Sequence, residues 1–288
     1  MRFLGTGLVF VTALFLSSSA GAINITSEND GNVLANAIAG SGVTIDSVSY
    51  VGADGQAGTF TDGNSSGIGI EEGIILTSGL AITAEGPNTS DSAGTVLGTA
   101  GYGALDTLSG GTTFDANILD ITFTTDTGDL FFNYVFGSEE YNEFVLFGVN
   151  DAFGFFIDGV NIAIAPDGSE VAIDTVNCGN PFGSADNNCS SYNNNDPTDG
   201  GPFFDIEYDG FTDVFTASIL GLSAGQHVLT LAIADTGDPF FDSGVFIERG
   251  SFMGTNPGNG TNPIPEPAST TLFGAGLFLV GAGIRRRR

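Results

Sequence analysis

The 288-residue chain carries 34 acidic residues against 6 basic ones and has no Trp. All six basic residues are Arg; Arg2 and Arg285 to Arg288 lie at the two ends, which leaves Arg249 as the one cation of the body. Such a body repels nucleic acid and anionic lipid and excludes both as its ligands. Solvent, salt or bound cations must offset the acids, because internal salt bridges cannot.

Residues 1–22, MRFLGTGLVFVTALFLSSSAGA, place one Arg before an apolar stretch and end in small residues. This is the pattern of a secretory signal peptide with cleavage before Ile23, and the apolar stretch is short for a membrane span. The body, residues 23–253, is rich in Phe, Val, Ile and Thr broken by Gly, Asn and Asp, which predicts short strands and turns. One helix is expected early, in SENDGNVLANAIAGSG. Ser27 or Asn29 can cap it, Val33, Leu34, Ala37 and Ile38 form its apolar stripe, and Gly40 and Gly42 stop it.

Strands follow. Residues 43–52, VTIDSVSYVG, alternate apolar and polar as a half-buried strand does. Residues 67–79, GIGIEEGIILTSG, read as two short strands about Glu71-Glu72-Gly73. Residues 118–137 predict a hairpin turning at 126–129, and residues 151–166 predict another turning at Asp158-Gly159. Late strands are expected in DVFTASI, HVLTLAIAD and GVFIERGSF. The sum is an all-β fold, an antiparallel β-sandwich of jelly-roll type with one short N-terminal helix. No internal linker comparable to GTNPGNGTNP, residues 254–263, divides the body.

The most unusual stretch is YVFGSEEYNEFV, residues 134–145. Leu130 to Phe136 is apolar on both faces except at Asn133, which predicts an inner strand; Gly137-Ser138 then puts Glu139 and Glu140 at its end. Two carboxylates about 4 Å apart repel by roughly 4 kcal/mol at an effective dielectric of 20. Water, a proton or a cation can stabilise them, and water does not suffice if they are buried. Ca²⁺ takes carboxylate and carbonyl oxygens in flexible geometry. A second acidic cluster, Asp235, Asp238 and Asp242 in IADTGDPFFDSGVF, lies between two late strands. The expectation is that it shares one end of the sandwich with Glu139 and Glu140 and binds calcium there; two independent solvated loops are the alternative.

Other chemistry is thin. Cys178 and Cys189 flank a polar loop of an exported chain, which predicts a disulfide; one histidine, His227, is too few for a zinc site. G-x-S-x-G occurs around Ser65 and Ser223 without the strand–turn–helix context of a nucleophile elbow. NNNDPTDG, residues 193–200, resembles part of a calcium loop but lacks EF-hand spacing and the closing Glu. Glu139, Glu140 and Asp151 could serve as acid and base on a glycosidic bond only if they face one cleft.

The tail, residues 264–288, has three parts: Pro265-Glu266-Pro267, an apolar stretch over 272–284 predicted as a single hydrophobic helix, and Arg285, Arg286, Arg287 and Arg288. The Arg cluster would stay cytoplasmic, so the body faces outward. The order and spacing resemble a PEP-CTERM sorting signal, which implies recognition and trimming by an exosortase-type membrane protease. The body resembles the choice-of-anchor L family, on LANAIAGSGVTIDSVSY, GIGIEEGIILTSG, YVFGSEEYNEFV with NDAFGFFIDGVNIA, and DTGDPFFDSGVFIE. That resemblance implies an exported, surface-associated β domain and no reaction. The expected function is therefore a non-enzymatic adhesion, biofilm or exopolysaccharide-associated module, with polysaccharide or a surface protein as partner. A carboxylate-dependent glycoside hydrolase and a self-assembling coat protein are the alternatives.

Overall fold

In the computed structural model, which describes residues 21–125 and 128–258, thirteen strands form two antiparallel sheets. The larger sheet contains β1 (Asn24–Ser27), β3 (Ala57–Thr61), β4 (Gly73–Thr77), β13 (Ser243–Glu248), β6 (Asp129–Ser138), β10 (Gly210–Thr212) and β9 (Tyr192–Asn194), in that order, with β11 (Phe215–Leu220) also paired to β6. The smaller sheet runs β2 (Val43–Val51), β5 (Thr113–Thr125), β12 (Gly225–Thr236), β7 (Ala152–Ile157), β8 (Val160–Asn161). Three helices accompany them: α1 (Gly31–Ile38), the single turn α2 (Gly63–Ser66) and α3 (Gly103–Ser109).

The period of two along the inner strands explains the layers. Phe132, Tyr134 and Phe136 of β6 point between the sheets and meet Phe153 and Phe155 of β7, with ring centroids 4.8–5.3 Å apart. Val135, between them, points the other way and is covered by Ile206, Tyr208 and Phe211. On the far face of the smaller sheet, Ala232 and Ala234 lie under Leu105 of α3. Both sheets are thus buried on both faces near their centres. Burying each large apolar side chain fully is worth roughly 1.5–3 kcal/mol.

Several expectations change. The strands on either side of 126–129 do not pair: β5 belongs to the smaller sheet and β6 to the larger, so they form no hairpin, and residues 126–127 of the expected turn lie outside the described residues. α1 is capped by the Asp30 carboxylate, which accepts from Asn32 N at 2.8 Å, not by Ser27 or Asn29, and its C-cap is Ala39. α3 is a second helix of seven residues with no side-chain N-cap; the Asp106 carboxylate ties it to Thr113 N at 2.7 Å. Of residues 67–79 only β4 is a strand. The hairpin at Asp158-Gly159 forms, though its second arm, β8, is only 2 residues long. The disulfide Cys178–Cys189 is formed, and closing a loop of that size is worth roughly 3 kcal/mol. The signal-peptide cleavage site lies at the edge of the described residues. The PEP-CTERM motif, its apolar helix and the Arg cluster lie outside them. Among the described residues no helix is long and apolar enough to cross a membrane.

Candidate functional site: buried carboxylates at one end of the sandwich

β6 ends at Ser138, which pairs with Ser243 at the start of β13 and with Gly210 at the start of β10. β12 ends at Thr236, and β7 starts at Ala152, immediately after Asp151. Chain order therefore delivers Glu139, Glu140, Asp151, Asp235 and Asp242 to one end of the sandwich. Glu139, Asp151 and Asp235 are 0 % exposed, and Glu140 and Asp242 are 1 % exposed.

The two glutamates turn to different neighbours, as adjacent residues do on leaving a strand. Glu140 faces the late aspartates: its Oε2 accepts from Asp151 N at 3.4 Å, and Asp151, Asp235 and Asp238 are the charges acting on it. Asp151 accepts from Thr236 N at 2.9 Å and from Ser243 Oγ at 2.7 Å. Glu139 accepts from Ala93 N at 3.1 Å and feels Asp209, Glu207 and Asp242. Of the five acids expected to bind calcium, Glu139, Glu140, Asp235 and Asp242 are thus buried at one end, around two centres, whereas Asp238 is only partly buried; Asp151 joins them.

Burial, ahead of every other cause, holds these acids in their protonated range. It pushes Glu139 up to about 11, Asp151 to about 8 and Asp242 to about 7. Glu140 and Asp235 are raised as well, with Asp151 the largest charge effect on each. Several oxygens remain without a hydrogen bond: Glu139 Oε1, Glu140 Oε1 and both oxygens of Asp235. The Ser78 hydroxyl lies beside Asp235 and partly offsets its raised pKa, while also facing the Ser243 carbonyl at 3.4 Å. A buried acceptor left unmade costs about 1–3 kcal/mol, and more if it is charged. Among the described residues no three or more Asp, Glu, His or Cys side chains are gathered tightly enough to hold a metal by themselves. A cation at this end would therefore need Ser, Asn and backbone oxygens in its shell as well as carboxylates, a mixture that suits calcium.

Glu139 and Asp242, together with Glu207 and Asp115, hold down an extended segment, residues 88–99. Its backbone N–H groups donate to carboxylates at nearly regular spacing: Thr89 to Glu207 at 3.1 Å, Ala93 to Glu139 at 3.1 Å, Thr95 to Asp242 at 3.0 Å and Leu97 to Asp115 at 2.8 Å. These are charge-assisted bonds if the carboxylates are ionised. Sequence reading missed Asp115, Glu207 and Asp209, which stand in ordinary-looking turn or strand contexts; their burial is the only signal, and it is not local.

His227 is no catalytic base. Its Nδ1 faces Asp158 Oδ2 at 2.6 Å and its Nε2 faces the Ser223 carbonyl, not the hydroxyl, at 2.8 Å. Both ring nitrogens face acceptors, and the Asp158 hydrogen bond raises the ring's pKa. The G-x-S-x-G around Ser223 thus has no nucleophile–base contact.

The choice-of-anchor L domain model matches residues 23–253, the whole of the described sandwich. The chain belongs to the choice-of-anchor L domain family. Membership marks a bacterial surface or exported protein. In comparisons with curated proteins and with solved structures, nothing matches.

Proposed function

We propose that this choice-of-anchor L chain is a non-enzymatic surface module, exported through its N-terminal signal and sorted by an exosortase-type protease acting on the PEP-CTERM tail. It serves adhesion or matrix structure, with polysaccharide or another surface protein as partner. Calcium met outside the cell neutralises its acidic end and sets the connections around Asp151 and Asp235. One observation carries the metal reading: Glu140 and Asp235 are buried, adjacent in charge and left with unpartnered oxygens, in a body whose single Arg is elsewhere. A cell interior holds too little free calcium to load a weak site, whereas extracellular modules work with dissociation constants of about 10⁻⁴–10⁻³ M.

Burial also weighs against the hydrolase. An acid and a base must both reach the sugar, and Glu139, Glu140 and Asp151 expose at most 1 % of their surface. Calorimetric titration of chelator-treated protein with Ca²⁺ is expected to give binding heat and a higher melting temperature. No heat and no melting shift at millimolar Ca²⁺ would remove the metal from this account. Release of reducing ends from matrix polysaccharide would replace the binding module with the enzyme.

A further inference from the structure

The turn after the two buried glutamates, Asn142-Glu143, meets two loops: the disulfide loop, residues 178–189, and the loop 193–200. A recess of about 180 Å³ opens where they meet, lined by Asn142, Glu143, Asn180, Pro181, Phe182 and Asp199. Its walls are fixed from several sides. The disulfide Cys178–Cys189 closes the loop that carries Phe182. Asn180 Nδ2 donates to the Glu143 carbonyl at 2.7 Å and ties that loop to the turn. Tyr192 supports both: its ring centroid lies 6.3 Å from that of Phe182 and 4.7 Å from that of the buried Tyr141, and its hydroxyl donates to Asn142 Oδ1 at 2.8 Å.

The recess combines an aromatic face with a surplus of acceptors. Phe182 stays 39 % exposed, and Phe203, whose ring lies beside Gly200 and so next to Asp199, is 64 % exposed. Asn142 Nδ2 lies 3.0 Å from Asn194 Oδ1, 3.3 Å from Asp196 Oδ2 and 3.0 Å from Asp199 Oδ2, so three oxygens compete for two amide hydrogens. Thr198 Oγ lies 2.8 Å from Asp196 Oδ1 and 3.2 Å from Glu143 Oε1, so one hydroxyl proton faces two carboxylates. Glu143 Oε2 has no partner. These acids are not gathered tightly enough to hold a metal by themselves. What the wall lacks is hydrogens, and a molecule rich in O–H groups supplies them.

We infer that this recess is a subsite for one unit of a neutral sugar chain, with the C–H face of a pyranose resting on Phe182 and its hydroxyls donating to the carboxylates of Asp199 and Glu143. The inference rests on the polysaccharide reading above and gives that partner a place and a chemical class. The face of an aromatic ring carries negative charge density and attracts the weakly positive C–H edge of a sugar. An ionised carboxylate accepts a hydroxyl more strongly than a neutral oxygen does, and a hydroxyl on Asp199 relieves the competition for the Asn142 amide. Uronate or sulfate groups are excluded, because Asp199, Glu143 and the acidic body repel them. The disulfide and Tyr192 order the wall before any ligand arrives, so little conformational freedom is lost on binding. Phe203 offers an adjoining unit a second ring, so an oligosaccharide binds more tightly than its monosaccharide.

The test is affinity electrophoresis through gels containing dextran, galactomannan or xyloglucan as neutral polysaccharides, with alginate as the acidic control. At least one neutral gel is expected to retard the wild type, and alginate is not. Phe182→Ala and Asp199→Ala should each raise the dissociation constant read from that retardation by about tenfold or more. Phe182→Trp should keep the binding, whereas Phe182→Leu, apolar but without a flat face, should lose it. Phe182 and Asp199 are both exposed, and unchanged melting temperatures report that the variants keep the fold. If Phe182→Ala and Asp199→Ala are retarded as the wild type is, the recess is overturned while polysaccharide binding elsewhere on the body stands. Retardation by alginate alone overturns the recess too, because the ligand class is wrong, and leaves the matrix reading in place. No retardation in any gel overturns the recess and removes polysaccharide from the proposed function.

Discussion

The two ends of β13 hold charge in opposite ways. Just beyond its C-terminal end, Arg249 Nε meets Glu72 Oε2 at 3.1 Å, and both side chains are about half exposed, 53 % and 47 %. At its N-terminal end Asp242 joins Glu139, Asp151 and Asp235, all buried, with no Lys or Arg among the described residues to meet them. The first arrangement is worth roughly 0–1 kcal/mol, because water already solvates each partner. The second costs several kcal/mol per ionised group unless a proton or a cation neutralises it. The acids of this chain are thus not equivalent: burial, and not their number, decides which of them require something from outside.

The comparison sharpens most under a change of pH in chelator. Asp151 titrates near 8 in the fold and near its ordinary value when unfolded, and Asp242 is raised to about 7. A carboxyl with a raised folded pKa keeps its proton in the fold after the unfolded chain has lost it. Its stabilising effect is complete below about pH 4 and is lost as pH climbs through 7 and 8. Chelated protein should therefore lose stability from pH 5 to pH 8, by on the order of 1.4 kcal/mol per pH unit for each group that carries the difference. Urea unfolding at several pH values reads this, and a flat or rising profile would show these acids to be solvated. With calcium present the slope should shrink, because the ion favours the charged form.

The smallest effect belongs to the other end of β13. Arg249→Ala should change the unfolding free energy by less than about 1 kcal/mol, and the change should fade further at high salt. A loss of several kcal/mol would mean that the one body cation matters for the fold, and the contrast between the ends would fail.

Much of the sandwich was legible in the residues. Alternation in β2 and β12, and the two-faced apolar run of β6, identify strands and even a central one. That β5 and β6 belong to different sheets was not legible, because a turn signal between two apolar runs is the same whether the strands pair or part to opposite sheets. α3 escaped because GALDTLS is short, opens on Gly and has no side-chain cap. Glu139, Glu140, Asp235 and Asp242 stood out because carboxylates among aromatics, in a chain so poor in cations, call for an explanation. Asp209 and Asp115 did not, since YDG and FDA look like solvated turns. Glu143 could not be matched to its loop, because the two are brought together only by β6, β9 and β10.

The most direct test of the buried, cation-requiring end is the unfolding free energy of Asp235→Asn against wild type at pH 8, once in chelator and once in millimolar calcium. Removing a buried carboxyl whose raised folded pKa costs stability at alkaline pH should stabilise the chelated protein, and removing a ligand should destabilise the calcium-loaded one, so the sign of the difference should reverse. The same sign and size in both solutions would contradict the account.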